Sequence, residues 1–187
     1  YGWASDLQRS VRLNPTDAVP TALNAASGDI YGAEFQGQLN FGKLSINGSF
    51  AYNHAEYDRY RSPAGDNYDD DRFAFDPRLR YTISAIYSDQ LGSGGDFSAN
   101  ITYQRSDSYY WDDINTVGAL TESEGLLGAS VQLDKIGGSG VGAALFVTNA
   151  LDEEYFVGGN GNLIGVNAGV NVEPRMYGMR LTYRFGD

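Results

Sequence analysis

The clearest pattern along the chain is an alternation of apolar and polar residues with a period of two. It is most regular near the C-terminus, where one face holds Tyr177, Met179, Leu181, Tyr183 and Phe185 and the other holds Gly178, Arg180, Thr182 and Arg184. Successive side chains of a β-strand point to opposite faces of the sheet. The pattern therefore predicts an amphipathic last strand with its apolar residues facing away from its arginines.

The same alternation recurs along the whole chain. It is weak near residues 3–11 and clear over 30–41, 44–54, 79–87, 97–103, 127–133, 141–149 and 177–185. Runs of this length and composition, separated by turn residues, are typical of antiparallel β proteins. We predict an all-β fold of about eight up-and-down strands.

The connections between these strands alternate strictly between short and long. The short ones are residues 42–43, 92–95 and 137–140, and the long ones are approximately 12–28, 59–77, 106–121 and 151–174. Because consecutive antiparallel strands reverse direction, all short turns fall on one edge of the sheet, together with the C-terminus, and all long loops fall on the other. This asymmetry is typical of transmembrane β-barrels of outer membranes.

Alternation alone does not say which face meets lipid, since a soluble barrel would turn its apolar face inward. The polar face is mostly Ser, Asn, Thr, Gln and Gly, which are too small to fill a narrow barrel, whereas the apolar face carries large aliphatic and aromatic residues. Tyr57, Tyr60, Tyr87 and Tyr183 lie near predicted strand ends, where tyrosine rings favour the membrane interface. The membrane-spanning interpretation is therefore favoured over the soluble one.

Composition excludes several other classes. The 187 residues carry a net charge of -11, with 24 Gly, 14 Tyr and no Cys. The acidic balance argues against nucleic acid as a partner, because phosphate backbones are bound by clustered Lys and Arg. The lack of cysteine excludes disulfides and thiolate metal sites.

Several segments resemble one known family. The run "FVTNALDEEYF" resembles the penultimate-strand signature of TonB-dependent outer-membrane receptors, and "EPRMYGMRLTYRF" resembles their last strand. "GDIYGAEFQGQLNFG" and "FDPRLRYTISAIY" are similar to strand openings further upstream in that family. In this interpretation Asn149 ends a strand, Asp152, Glu153 and Glu154 face water, and Tyr155 and Phe156 anchor at the headgroups. The family's terminal aromatic is Phe185 here, but Gly186 and Asp187 follow it.

The resemblance implies a barrel of about 22 strands closed over an N-terminal plug. Residues 1–187 would then be the C-terminal portion of the barrel, without the plug domain and without the box that contacts the energy-coupling protein. The alternative is a complete small eight-stranded outer-membrane barrel with a structural or adhesion role. The small polar side chains that would line an eight-stranded barrel would leave its interior poorly packed, which favours the barrel of about 22 strands.

Catalysis is not expected. The only histidine, His54, falls in phase with the apolar face, so no base stands beside a nucleophile and we expect no catalytic residue. Acidic residues cluster at Asp69, Asp70 and Asp71 and at Asp112 and Asp113 in two long loops. We interpret them as solvated loop charges or bridges to lipopolysaccharide, and expect neither a dedicated metal site nor a cofactor, although Ca²⁺ binding stays an alternative.

Ligand contacts are expected in the long loops. The candidates are the loop aromatics Tyr68, Phe73, Phe75, Tyr109, Tyr110 and Trp111, because rigid rings give contact area at low entropic cost. Membrane-interface anchoring is the alternative for the cluster at 109–111. The resemblance implies an outer-membrane transport receptor for a scarce small molecule, such as a ferric siderophore, haem, cobalamin or a glycan. It also implies as partners outer-membrane lipid and lipopolysaccharide, a plug domain with upstream barrel strands, and the inner-membrane TonB complex, with the C-terminus in the periplasm.

Overall fold

The computed structural model describes residues 1–11, 21–61, 65–163 and 166–185. Its strands are β1 (Gly2–Val11), β2 (Thr21–Phe41), β3 (Leu44–Tyr60), β4 (Leu79–Gln90), β5 (Asp96–Ser106), β6 (Tyr109–Tyr110), β7 (Leu120–Thr121), β8 (Glu124–Asp134), β9 (Val141–Thr148), β10 (Phe156–Leu163), β11 (Val166–Asn171) and β12 (Met176–Tyr183). Eight of them form one antiparallel sheet in the order β1-β2-β3-β4-β5-β8-β9-β12. The predicted up-and-down arrangement of eight strands is confirmed.

The remaining four strands form two hairpins, β6 with β7 and β10 with β11, inside long connections. All four long connections are therefore more ordered than predicted. β2 already begins at residue 21, β3 continues to residue 60, and part of 151–174 is a hairpin. The period-two pattern missed the glycine-rich β10 and β11 because they have few apolar residues to alternate. None of the helices in the described ranges, which are three-residue 3-10 turns, is long and apolar enough to span a membrane.

The register of the sheet separates an apolar face from a polar one. A row of directly opposed residues crosses seven strands, and its members are Leu39, Ile46, Ala85, Ile101, Ala129, Val147 and Tyr177. The next row belongs to the other face and holds Gln38, Asn47, Ser84, Thr102 and Gly128. Directly opposed residues of antiparallel strands share a face, so the predicted two-faced sheet is confirmed.

The three short turns lie along one edge of the sheet. Ser88 N donates to Lys43 O at the first turn, where Gly42 has a φ of 62° that favours glycine. At the third turn, Arg184 N donates to Gly140 O with an N–O distance of 2.9 Å. The C-terminal end of β12 therefore lies at this edge, as predicted, while Asp187 itself is outside the described residues.

The sheet does not close on itself. β1, which holds Leu7, and β12, which holds Leu181, are its two edge strands and do not pair with each other. A complete eight-stranded barrel requires that pairing, because closure leaves no strand edge. The chain is thus a wall segment of a larger barrel rather than the small closed barrel of the alternative.

The predicted interfacial tyrosines divide into two groups. Tyr87 and Tyr183 lie exposed on the apolar face near the short-turn edge, in agreement with the prediction. For Tyr57 and Tyr60 the prediction is wrong, since only 1% and 4% of their surfaces are exposed. They lie on the extension of β3 toward the long loops, and they pack with Ala26, Tyr68 and Phe73 into a small core.

We predict that adding a charge to the apolar face of β12 is damaging, whereas removing a charge from its polar face is tolerated. In the parent barrel, Leu181→Arg should lower stability by about 2 to 4 kcal/mol if Leu181 faces hydrocarbon near mid-membrane. Arg180→Leu, on the opposite face, should leave folding nearly intact. The refolding yield and the denaturant midpoint of each variant in lipid bilayers measure its effect on folding and stability. Tolerance of Leu181→Arg together with damage by Arg180→Leu would mean that the apolar face points inward.

Candidate functional site

Three long connections stand at the edge of the sheet opposite the short turns. We call them loop A (residues 61–78, between β3 and β4), loop B (107–123, between β5 and β8) and loop C (149–175, between β9 and β12), apart from the undescribed residues 62–64 and 164–165. Their contacts with one another define the candidate site.

Loop A folds back along the extension of β3. Tyr57 N donates to Asp71 O at 2.9 Å and Asp70 N donates to Tyr57 O at 2.8 Å, while Tyr68 N donates to Tyr60 O at 2.9 Å. Beneath this added segment, the ring of Tyr57 lies 4.6 Å from that of Phe73. Backbone pairing and aromatic packing therefore fix loop A on the sheet.

Loop A is tied to loop B by a reciprocal pair. Arg72 N donates to Asn115 Oδ1 at 3.0 Å, and Asn115 Nδ2 donates to Arg72 O at 2.8 Å. The Arg72 guanidinium also donates to Ser108 O at 2.8 Å. Phe75 N donates to Tyr110 O at 2.7 Å. Two loops that are far apart in sequence thus share main-chain hydrogen bonds, which restricts their relative motion.

Loop B meets loop C around a buried threonine. The hydroxyl of Thr121, which is 1% exposed, accepts a hydrogen bond from Trp111 Nε1 and donates one to Phe156 O, both at 2.6 Å. Tyr109 Oη donates to Val157 O at 2.9 Å. The Trp111 ring lies edge-on to the Phe156 ring, with 6.2 Å between the ring centres. It also lies so close to Gly159 that a Cβ atom on residue 159 would be 2.6 Å from the Trp111 ring.

The stem of loop C is closed by Asn149. This residue has a φ of 45°, a left-handed conformation that asparagine tolerates, and it ends β9 as predicted. Its amide nitrogen donates to Glu153 O at 2.9 Å and Glu173 O at 3.0 Å, and its amide oxygen accepts from Glu153 N. Asp152 adds an ion pair with Arg175 at 2.8 Å. One side chain therefore joins both ends of loop C.

The loops bring the six predicted ligand-contact aromatics into two groups. Tyr68 and Phe73 pack around Tyr57 and Tyr60, while Phe75, Tyr109, Tyr110 and Trp111 lie where the three loops meet. Tyr109 and Trp111 are each only 8% exposed, so they chiefly support the loops, whereas Phe75 exposes 53% of its surface. Phe75 is therefore the most exposed member of the set.

The acidic residues of loop A differ in environment. Asp69 accepts hydrogen bonds from the Tyr60 N–H and from the Arg61 guanidinium. These two bonds, the first having the larger effect, hold the pKa of Asp69 below its usual range. Burial, followed by the charge of Asp112, raises the pKa of Asp71. Across the described part of the chain, no group of three or more His, Asp or Glu side chains is placed to hold a metal ion. Asp69 thus joins loop A to the end of β3.

A polar pocket lies beneath loops B and C on the polar face of the sheet. Its volume is about 250 Å³, and Thr82, Gln104 and Leu126 line it from the strands. Tyr109 and Tyr155 line it from the loops, and Arg80, Ser106 and Glu124 form a cross-strand row in its wall. Burial, followed by the neighbouring Glu124 charge, raises the pKa of Tyr155 to about 12, so its hydroxyl stays protonated at neutral pH.

This pocket corrects one expectation about loop C. Tyr155 and Phe156 are not headgroup anchors, because Tyr155 lies beside Glu124 on the polar face and Phe156 packs against Trp111. His54 lies on the apolar face, as predicted, where it stacks on Tyr31 at 4.5 Å and contacts Glu56. Glu56 also pairs with Arg78, so these charges satisfy one another at the loop end of β3.

The architecture defines the class of protein. An open antiparallel wall with one apolar face, one polar face and all long loops at one edge is a segment of a large transmembrane β-barrel. A family model described as "TonB dependent receptor-like, beta-barrel" matches residues 1–150. The chain belongs to this family of receptors. No curated protein sequence matches the chain.

Three solved structures with the same fold are named as receptors or transporters of ferric compounds. The ferric yersiniabactin uptake receptor FyuA from Yersinia pestis superimposes with a TM-score of 0.72 at 18% identity, over 86% of this chain and 24% of that one. The ferric preacinetobactin receptor BauA from Acinetobacter baumannii gives 0.69 at 15%, over 96% and 25%. The ferric citrate transporter FecA, in its unliganded form, gives 0.64 at 21%, over 93% and 26%. The chain thus spans about a quarter of each of these proteins.

Sequence reasoning missed several residues that build the site. Arg80 and Glu124 lie in phase with the polar face at the loop ends of their strands, so their register was a usable signal. Arg72, Asn115 and Thr121 gave no signal, because their partners lie in other loops and loop conformation does not follow from a period of two.

We predict that Thr121→Val loosens loops B and C. The change removes the acceptor of Trp111 Nε1 and the donor to Phe156 O while keeping the side-chain shape, and a buried group left without a partner costs about 1 to 3 kcal/mol. Proteolysis within loops B and C of the parent receptor should become faster.

The matched control is Thr116→Val in the same loop, whose hydroxyl makes no hydrogen bond within the described ranges. It should leave the cleavage rate unchanged. Equal cleavage of the Thr121→Val variant and the parent would show that this contact does not hold the loops together.

Proposed function

We propose that this chain is the C-terminal barrel segment of an outer-membrane receptor that actively imports a scarce nutrient. The observation that carries the proposal is the loop arrangement. Three long loops are joined by hydrogen bonds at one edge of the sheet, and two of them reach over its polar face to cover a pocket. A receptor that captures a ligand at the mouth of a barrel needs polar-face access and loops ordered before binding, because ordering them later lowers affinity.

The rest of the assembly follows from family membership. Upstream strands would complete a barrel of about 22 strands around a plug domain, and the inner-membrane TonB complex would act through that plug. The apolar face would meet outer-membrane lipid and lipopolysaccharide, and the short-turn edge with the C-terminus would face the periplasm. The chain's own part is wall and ligand capture rather than catalysis.

The cargo is a small molecule, and ferric siderophores are the leading candidates. FyuA, BauA and FecA, which share the fold, are named for ferric yersiniabactin, ferric preacinetobactin and ferric citrate. Haem, cobalamin and a glycan are the other cargo classes to be tested. Within this chain we propose that Phe75 and Tyr110 contact the ligand, while Tyr68, Phe73, Tyr109 and Trp111 hold the loops that present them.

The test measures uptake by cells that express the full-length parent receptor. Radiolabelled ferric chelates, haem, cobalamin and an oligosaccharide are supplied in turn, with and without a protonophore. We expect accumulation of one class that stops when the proton gradient is removed. Equal accumulation with and without the gradient would contradict active transport, and no accumulation of any class would contradict the receptor assignment.

We also predict that Phe75→Ala weakens binding of that ligand about tenfold or more, because aromatic contacts at the centre of an interface carry most of its energy. The matched control is Phe41→Ala, which removes a comparably exposed ring from the apolar face at the short-turn edge. Ligand titration of the purified receptor measures both. Unchanged affinity of the Phe75→Ala variant would remove Phe75 from the ligand site.

A further inference from the structure

An arginine and a buried carboxyl group face each other across the pocket without forming an ion pair. In the cross-strand row, Arg80 is directly opposite Ser106, and Ser106 is directly opposite Glu124. Two strand spacings place the ends of this row roughly 10 Å apart. Ser106 between them is small, and Arg80 makes no ion pair within the described ranges. The row therefore leaves a gap with a cation on one side and a carboxyl group on the other.

The carboxyl group carries an unsatisfied atom. Glu124 Oε2 is buried and has no hydrogen-bond partner among the described residues, although the Tyr155 hydroxyl lies beside the same carboxyl group. Buried polar atoms in native proteins are nearly always hydrogen-bonded, and an unpaired one is costly. A hydrogen-bonding group from outside the described residues is therefore expected at Oε2.

The position of the pocket indicates what that group belongs to. Arg80 and Glu124 lie at the loop ends of β4 and β8, directly under Tyr109 and Tyr155. A molecule that enters from the loop side reaches this part of the polar face first. A domain that fills the middle of the barrel would instead contact the cross-strand row of Gln38, Asn47 and Ser84, which lies closer to the short turns.

We propose that Arg80, Glu124 and Tyr155 form a subsite for a free carboxylate and a neighbouring hydrogen-bond donor of a polycarboxylate chelator. The inference rests on the proposed function and specifies its ligand class. The planar Arg80 guanidinium matches a carboxylate, with which it forms two parallel hydrogen bonds. In such a chelator the hydroxyl oxygens bind the iron, so an amine or a protonated carboxyl group that is not bound to iron donates to Glu124 Oε2. A catecholate or hydroxamate chelate offers no such pair of groups.

The test uses the full-length receptor and three probes, namely ferric citrate, a ferric tricatecholate and a ferric trihydroxamate. Binding is measured by titration. We expect ferric citrate to bind most tightly and each of Arg80→Gln and Glu124→Gln to weaken it about tenfold or more, as loss of a charged hydrogen bond does. Arg80→Lys should recover only part of the affinity, because an ammonium group does not form the bidentate pair.

The matched control is Arg180→Gln, which changes an arginine of the same face far from the pocket and should not alter affinity. Tighter binding of the tricatecholate or trihydroxamate, or binding of none of the probes, would overturn the subsite. The subsite would also be overturned if the Arg80 and Glu124 variants changed the thermal stability of the ligand-free receptor but kept its affinity for ferric citrate. That result would indicate that the row of Arg80, Ser106 and Glu124 contacts the plug domain. Gradient-dependent uptake of another ferric chelate would then leave the proposed function standing while the subsite falls.

Discussion

The structure depends on one constraint, which is an unbroken hydrogen-bond register across eight antiparallel strands. Because side chains alternate with a period of two, a slip of one residue in any strand would move its apolar residues to the polar face. In the main sheet, the register shifts of the described residues occur only between Leu7 and Gln8 and between Ser27 and Gly28, toward the loop ends of β1 and β2. The ladders that join β3, β4, β5 and β8 have none. The two faces therefore stay separate over the region that crosses the membrane.

The sequence was informative wherever this constraint acts. Strand number, order, facing and turn edge all follow from alternation and connection length, and residues such as Leu181 and His54 lie on the face predicted for them. Prediction was weaker where strands extend beyond the alternating core. Tyr57 and Tyr60 looked like interfacial tyrosines because they lie near the predicted end of β3, but loop A covers them, and no local pattern in the sequence indicates a covering segment.

The same reasoning explains which parts of the site could be foreseen. The predicted aromatic residues do lie in the long loops, but composition does not separate Phe75, which is exposed, from Trp111, which is buried. That distinction depends on Thr121 and Phe156, which come from two different segments of the chain. Arg80 and Glu124 face the same pocket only after three strands, β4, β5 and β8, are paired in register, so their relation is a property of the sheet rather than of either strand.

Unequal strand lengths connect the wall to the loops. β2 and β3 have 21 and 17 residues, whereas β9 and β12 have 8 each, and about 9 to 11 residues cross a membrane. The long strands project past the membrane and give loop A a surface on which to pack. β9, one of the short strands, ends early, just before Asn149. The side chain of Asn149 closes the stem of loop C. Because loop C starts at this lower level, Tyr155 reaches Glu124 while Phe156 reaches Trp111. The difference in strand length thus lets loop C contact the polar wall and the neighbouring loop together, and it places the pocket between them.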